Sequence, residues 1–486
     1  MALLAGLLIQ GISIAGPGTS INGVQAQANA ANGRTIEGIW QGSIETGGPS
    51  VRIIFKISKD PKGVLAATMD SPDQGARELH LEEVTFQDDR FHCALKIANA
   101  SFEGTLNKDG SELSGHWAQN DHSLPLTLIR VDKEPETRRP QDPVRPYPYD
   151  EEEVAYDNKQ APGVRLAGTL TIPRGGNPPY PVVLLITGSG PQDRDEALLG
   201  HRPFLVLSDY LTRHGIEVLR VDDRGTAKST GNFATATTED FASDVRAGIE
   251  FLKTRKEVNH KQIGLIGHSE GAIIAPMVAA TSPDVGFIVM MAGTSITGEE
   301  VVLLQGALIS KAEGASEDEL ARSRAIQKSL FDIIKEEKDN SIAEKKVEDI
   351  LNKANADLPD PAKRMPAATI TAQAKAFTSP WFRFFAFYDP KPALKKVKCP
   401  VLALNGSNDL QVPPSANLPG IAQALEAGGN MDYEIDKLHR LNHLFQTSQT
   451  GSPSEYSKID ETISPVALDI ISSWIIRHTI KSVQRP

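Results

Sequence analysis

From Val164 onward, short apolar runs alternate with amphipathic helical stretches, and that rhythm admits few folds. Pro181-Val-Val-Leu-Leu-Ile-Thr187, Ile263-Gly-Leu-Ile-Gly267 and Gly286-Phe-Ile-Val-Met-Met-Ala292 are apolar almost throughout. A strand apolar on both faces must be covered on both faces. Helical patterns at Phe204 to Arg213 and Asp240 to Arg255 lie between such runs, and Val164 to Ile172 and Ile216 to Val221 read as further strands. The pattern predicts a mostly parallel sheet with helices on both sides, an α/β architecture. It resumes at Val401-Leu-Ala-Leu404 and Tyr433 to Leu438, and closes with a helix near Pro465 to Arg477.

The strand Ile263 to Gly267 runs straight into Gly267-His268-Ser269-Glu270-Gly271, and a helical pattern starts at once behind it. A serine on a sharp strand-to-helix turn is a nucleophile elbow: the turn exposes the hydroxyl, and the helix N-terminus favours negative charge beside it. Glycine is expected at 267 and 271 because a side chain there would strike the neighbouring strand or helix. Serine needs a base. Of the 11 histidines only His439, His443 and His478 follow Ser269. His439 ends a strand, and His478 is read as following the closing helix, in solvent. His443, in the loop Leu441-Asn-His-Leu-Phe-Gln446, is the candidate base. The orienting acid is expected in a loop after a strand, which selects Asp409 in Asn405-Gly-Ser-Asn-Asp409; Asp389 is the weaker candidate. Oxyanion donors are expected from the backbone N–H of Glu270 and from Ser189 in the loop Thr187-Gly-Ser-Gly-Pro191. That loop has neither the glycine spacing nor the lysine of a nucleotide-binding loop.

Alternation stops from about Thr297 to Lys398, where the pattern is helical. Ser316 with Glu319 and Ser341 with Glu344 match capping boxes, and Ile326, Leu330 and Ile333 share a face. A helical block inserted into a sheet reads as a cap. It carries Ser379-Pro-Trp-Phe-Arg-Phe-Phe-Ala-Phe-Tyr388, dense in aromatics for a chain with only 6% of them. Trp381 and Phe382 are therefore candidates for the wall of a substrate pocket, packing of cap on core being the alternative. The clusters Asp193-Arg194-Asp195 and Asp222-Asp-Arg224-Gly225 read first as ion pairs fixing loops. Substrate binding by Arg194 or Arg224 is the alternative, and Arg194 is kept as a pocket candidate. His268 and Glu270 are expected to shape the pocket.

Residues 31–133 read differently: Val51 to Ile57, Phe91 to Ile97, Ser101 to Leu106, Glu112 to Trp117 and Leu124 to Ile129 are short alternating runs. They predict a small all-β, barrel-like domain with Trp40 and Trp117 in its core. Prolines at 135, 140, 143, 146 and 148 make 134–149 a linker, so the second domain is expected over 150–486. The first 30 residues resemble an export signal, with an apolar run from Ala2 to Ala15 and small residues at Ala26, Ala28 and Ala30; no basic residue precedes the run. The chain is expected to be exported, to the periplasm or beyond, with no membrane span in the mature protein. A formal charge of −11 gives no footing for nucleic acid. Two cysteines, Cys93 and Cys399, build neither a disulfide framework nor a zinc site, and no metal or cofactor is implied.

From about residue 150 to its end the chain resembles the α/β-hydrolase superfamily. The likeness is to exported bacterial proteins of the serine aminopeptidase-like or acyl esterase type. It is carried by Gly188-Ser-Gly-Pro-Gln-Asp-Arg-Asp195, Asp222-Asp-Arg-Gly225, Gly267-His-Ser-Glu-Gly271, Ser379-Pro-Trp-Phe382 and Leu441-Asn-His-Leu-Phe-Gln446. The resemblance implies an α/β-hydrolase fold with a helical cap insertion, nucleophile Ser269, acid Asp409 and base His443. The expected activity is cleavage of small carboxylic esters through an acyl-enzyme. A peptidase, with Glu299 or Glu300 holding a substrate amine, is the first alternative. A thioesterase or lactonase, and a ligand-binding protein on an inactive scaffold, follow.

Overall fold

The computed structural model describes residues 35–44, 51–59, 63–71, 76–98, 100–119, 122–133, 139–358 and 364–481. The leader read from residues 1–30 lies outside them. The chain forms two compact units.

The first unit is a closed barrel of eight strands: β1 (Gly38–Ile44), β2 (Val51–Lys59), β3 (Leu65–Ser71), β4 (Ala76–Gln87), β5 (Arg90–Leu95), β6 (Ala100–Leu106), β7 (Glu112–Gln119) and β8 (His122–Val131). Each pairs antiparallel with the next, and β1 closes on β8 from Ile39↔Val131 to Gly42↔Leu128. The core is side chain throughout: Trp40, Phe55, Phe91, Phe102 and Trp117 are buried, with Phe55 and Phe102 edge to face at 5.5 Å. Strand β4 escapes a reading by alternation because its pairing register shifts between Glu82 and Thr85, where Glu83 takes φ 55°. The stretch Asn355–Ala372, expected within the cap, belongs to the barrel's unit.

The second unit is built on an eight-stranded sheet of β9 (Tyr149–Asp157), β10 (Arg165–Pro173), β11 (Tyr180–Ile186), β12 (Glu217–Val221), β13 (Val258–His268), β14 (Val285–Met291), β15 (Val401–Gly406) and β16 (Tyr433–Leu438). Their order is β16-β15-β14-β13-β11-β12-β10-β9, parallel from β12 to β16 and antiparallel on both sides of β10. The apolar runs divide their side chains between two cores. Val182, Leu184 and Ile186 face α2 (Thr238–Leu252) and α3 (Gly271–Ala279), together with α10 (Pro414–Ala427); Val183 and Leu185 face α1 (Pro203–Arg213) and α11 (Pro465–Lys481). Strand β9 is a charged edge, Tyr149-Asp-Glu-Glu-Glu-Val-Ala-Tyr-Asp157, which suits a strand with one free side.

Part of the proline-rich stretch is no free linker. The Arg139 guanidinium donates to the carbonyls of Leu199, Ser457 and Ile459, and Asp142 accepts from Arg202. Residues 139–148 are thus strapped along the second unit.

The helices of the expected cap are α4 (Gly298–Ala312), α5 (Glu317–Glu336), α6 (Asn340–Ala356), α7 (Ala367–Thr378), α8 (Pro380–Phe387) and α9 (Lys391–Leu394). Ser316 and Glu319 form the expected capping box. Ser341 and Glu344 do not: Asp339 Oδ1 accepts the N–H groups of Ser341 and Ile342 and caps α6 instead. The buried face of α5 is Gln327, Leu330, Phe331 and Ile334, one residue round from the face expected.

Candidate active site

Strand β13 ends at His268 and α3 begins at Gly271, leaving Ser269 on the turn at φ 55°. That left-handed conformation costs a serine about 1–2 kcal/mol. The surroundings hold it: the Ser269 N–H donates to Met291 O at 2.8 Å, and the flanking glycines allow the close approach. A Cβ on Gly267 would stand 2.0 Å from Gly271 O, and one on Gly271 2.1 Å from Ile186 O. The serine is 7% exposed, and its hydroxyl hydrogen-bonds to no other described residue.

Asp409 and His443 come together from two loops. After β15, Asp409 Oδ1 accepts the N–H groups of Gln411 and Val412 at 2.8 Å each, while Oδ2 stands 2.9 Å from His443 Nδ1. After β16, the tight loop holding His443 is braced by Asn442, whose Oδ1 accepts from Leu444 N and Gln446 N at 3.0 Å. An Nδ1 proton given to Asp409 leaves Nε2 of His443 as a lone-pair acceptor. Residue 443 is tied to the elbow through its neighbour: His268 Nε2 is 3.0 Å from His443 O, and the two rings lie 4.9 Å apart. Ser269 Oγ and His443 Nε2 share no hydrogen bond here, and such bonds often form only with substrate present.

The loop after β11 supplies the other wall. Its Gly188 packs on the elbow so closely that a Cβ there would meet Ser269 Cβ at 3.4 Å. Two carboxylates fix the loop. Glu196 Oε1 accepts Gly188 N–H at 2.7 Å, and Asp223 accepts from Thr187 Oγ1 at 2.7 Å and Gln192 N at 2.9 Å. The main-chain N–H groups of Ser189 and Glu270 donate to no other described residue, so both are available to an oxyanion.

Several expected site residues are placed elsewhere. Arg194 is no pocket residue: its guanidinium grips Asp222 through two hydrogen bonds, at 3.0 and 2.8 Å, and also donates to Glu153 and Thr169. Arg224 is also clamped, on Asp244, but both residues line the cleft described below. Phe382 is 1% exposed and packs inside the cap against Phe377 at 4.5 Å and Phe331 at 5.9 Å, so it lines no pocket. Glu300 closes a capping box with Thr297 and is not free for a substrate amine. His478 lies within α11, 4.0 Å from the Trp474 ring centroid, rather than beyond the helix in solvent. Asp389 is exposed, and its Oδ1 accepts from Lys391 N.

Trp381 does reach the site. Its Nε1–H donates to Glu270 Oε1 at 2.8 Å, and Thr238 Oγ1 donates to the same oxygen at 2.7 Å. Burial pushes the Glu270 carboxyl above its ordinary pKa, with these two hydrogen bonds acting against it. A cleft of about 530 Å³, its open mouth included, extends from Gly188, Gly190 and Glu270 down to Leu184, Phe241 and Ile274. Ser269, Asp409 and His443 do not line it, so it lies against the loop after β11 rather than over the serine. Among the described residues no His, Cys, Asp and Glu group is arranged to hold a metal. Also among the described residues, no helix is long and apolar enough to cross a membrane.

The sheet order, the lone reversed strand β10 and a strained serine between strand and helix make this an α/β-hydrolase. Residues 162–426, more than half of the 486, match the family model described as X-Pro dipeptidyl-peptidase (S15 family), and the chain belongs to that family. It is similar to esterase EstD of Thermotoga maritima, 27% identical over 313 residues, which are 64% of this chain and 66% of the relative, just under two thirds of that protein's length. Similar solved structures include an esterase of Pyrococcus furiosus, at TM-score 0.43 and 16% identity over 68% of this chain and 91% of that one. Another is the proline iminopeptidase of Mycobacterium smegmatis, at TM-score 0.40 and 14% identity over 68% of this chain and 100% of that one.

Proposed function

We propose that this protein is a serine esterase acting on small carboxylic esters. Ser269 Oγ attacks the ester carbonyl while Nε2 of His443 takes its proton. The Glu270 and Ser189 N–H groups receive the charge that develops on the carbonyl oxygen. The C–O bond to the leaving alcohol breaks as Nε2 returns the proton to that oxygen, and Asp409 steadies the imidazolium between the two events. Water then attacks the acyl-serine by the same route, releasing the acid and restoring the hydroxyl. The observation that carries the reading is the 2.9 Å contact between Asp409 Oδ2 and His443 Nδ1, with the His443 carbonyl held to the residue next to Ser269. The esterase relative supports the ester substrate.

Ser269→Ala should abolish hydrolysis of short p-nitrophenyl esters and labelling by a fluorophosphonate, and unchanged turnover would remove the serine from the mechanism. A peptidase is the second reading, favoured by the family's description. A glycyl-prolyl anilide assayed beside acetyl, butyryl and decanoyl esters separates the two. Glu270 and Asp223 face the cleft, yet desolvation raises the pKa of both, which weakens them as anchors for a substrate ammonium. The leader-like first 30 residues support an exported enzyme, and N-terminal sequencing of the mature protein from a culture would test that.

A further inference from the structure

His268 adjoins the turn of Ser269 and touches two further loops of the proposed site, those of Ser189 and His443. The ring has an acceptor at each end: Nδ1 is 2.9 Å from Glu196 Oε1, and Nε2 is 3.0 Å from the His443 carbonyl oxygen. A carbonyl oxygen cannot donate, so Nε2 carries a proton. Glu196 Oε1 also receives the Gly188 N–H at 2.7 Å, as a bare carboxylate oxygen does. A second proton on Nδ1, giving an imidazolium against a carboxylate, fits both contacts. The setting is dry, with His268 6% and Glu196 5% exposed and Phe204, Met291, Leu444 and Phe445 beside them.

Burying two charges is expensive, and apolar side chains of the same volume usually serve packing as well or better. The contacts indicate another use. Glu196 holds Gly188, next to the oxyanion donor Ser189; His268 adjoins Ser269; its far nitrogen grips the loop of the base. We infer that His268 and Glu196 form a buried ion pair that positions His443 beside Ser269, tying the loop of the base to the elbow and to the loop of Ser189. This rests on the Ser269–His443–Asp409 reading. The charged and titratable groups facing His268 are Glu196 from the loop after β11, Asp409 from the loop after β15 and His443 from the loop after β16. Burial by itself would lower the His268 pKa; the Glu196 charge and hydrogen bond, the His443 carbonyl and the Asp409 charge outweigh it and hold the group above its usual value.

The test uses His268→Gln, Glu196→Gln, the pair of changes together, and Ser269→Ala. Fluorophosphonate titration counts folded sites in each of the first three. Per site, His268→Gln should lower kcat on a short p-nitrophenyl ester about 10- to 100-fold with KM changed less than about threefold. Loss of the cation, with Glu196 still ionised, should move the acid limb of kcat/KM upward by about half a pH unit or more. The double variant should bring the limb back without restoring kcat, an outcome that a packing role would not produce. In protein labelled with 15N-histidine, one ring absent from His268→Gln should show both nitrogens protonated at pH 7. A neutral ring there, or wild-type kcat and acid limb in His268→Gln, overturns the inference. A Ser269→Ala protein that still cleaves the ester overturns this inference and the esterase reading together. A dead Ser269→Ala beside an unaltered His268→Gln overturns this inference alone.

Discussion

Asp409 commits one oxygen to its own loop and the other to His443, so its position and its charge are set together. In Asp409→Asn the shape survives, but an amide nitrogen turned to Nδ1 would force the other tautomer and leave Nε2 without a lone pair. We expect kcat to fall by about 10³- to 10⁴-fold, KM to change little, and the melting temperature to move by only a few degrees. Kinetics on a short ester beside a thermal scan would check it. The three residues of the proposed triad could be picked out in the sequence because each sits just after a strand, in the chain order Ser, Asp, His. The Glu196–His268 pair was not, since its partners lie 72 residues apart and meet only when two strand ends become neighbours. Glu217 is a second buried group that sequence conceals. It is fully buried at the start of β12, and neither carboxylate oxygen has a hydrogen-bond partner among the described residues. Burial first, and Glu257 second, push its pKa up from 4.5 to about 8. The folded value lies above the unfolded one, so the group favours the fold fully below the unfolded pKa, and that advantage is lost as pH rises from about 4.5 through about 8. Glu217→Gln should therefore gain little at pH 4.5 and about 1–3 kcal/mol at pH 8.5, read from denaturant melts at both values.

Helix α8 shows how a cap element can bear on chemistry without touching the serine. Its Trp381 is bonded to the side chain of Glu270, whose own main-chain N–H is a proposed oxyanion donor. Trp381→Phe removes the donor and keeps the ring, leaving a buried carboxylate oxygen short of one hydrogen bond, a change worth about 1–3 kcal/mol. Part of that should reach the transition state, lowering kcat/KM for a short ester by about tenfold, with the fluorophosphonate labelling rate falling in step. Equal rates in variant and wild type would confine Trp381 to packing. The aromatic run had marked this helix in the sequence. Helical periodicity could not tell which ring points outward, so Phe382, inside the cap with Phe331 and Phe377, was read as pocket wall alongside Trp381. The caps show the same limit. Ser341-x-x-Glu344 has the right letters, but Asp339, two residues earlier, reaches two orphan N–H groups with one oxygen and starts the helix first.

For the molecule as a whole, the alternation of apolar runs and helices foretold a covered, mostly parallel sheet, and short alternating strands foretold a barrel. Strand order was out of reach, because the crossing of β11 and β12 and the reversal of β10 are three-dimensional consequences of which faces must be buried. Edge strand β9 was missed for a related reason: it is held by nine residue pairs with β10 and needs no apolar signature of its own. The two units have separate cores, the barrel's centred on Trp40, Phe55 and Phe102 and the hydrolase's on the two faces of its sheet. Trp40 is wholly buried, donates from Nε1 to Ile36 O at 2.9 Å and lies under the Arg130 guanidinium at 4.3 Å. Trp40→Ala should destabilise the barrel by about 3–5 kcal/mol, a large share of what a domain of that size commands. The hydrogen bonds described for Ser269, Asp409 and His443 are made with residues of the hydrolase unit, so kcat/KM on a short ester should stay within about twofold at temperatures where that unit is folded. Calorimetry should then show a transition lowered in the variant and a second one unmoved, with turnover lost only at the second. Turnover lost at the lowered transition would mean that the two cores unfold as one.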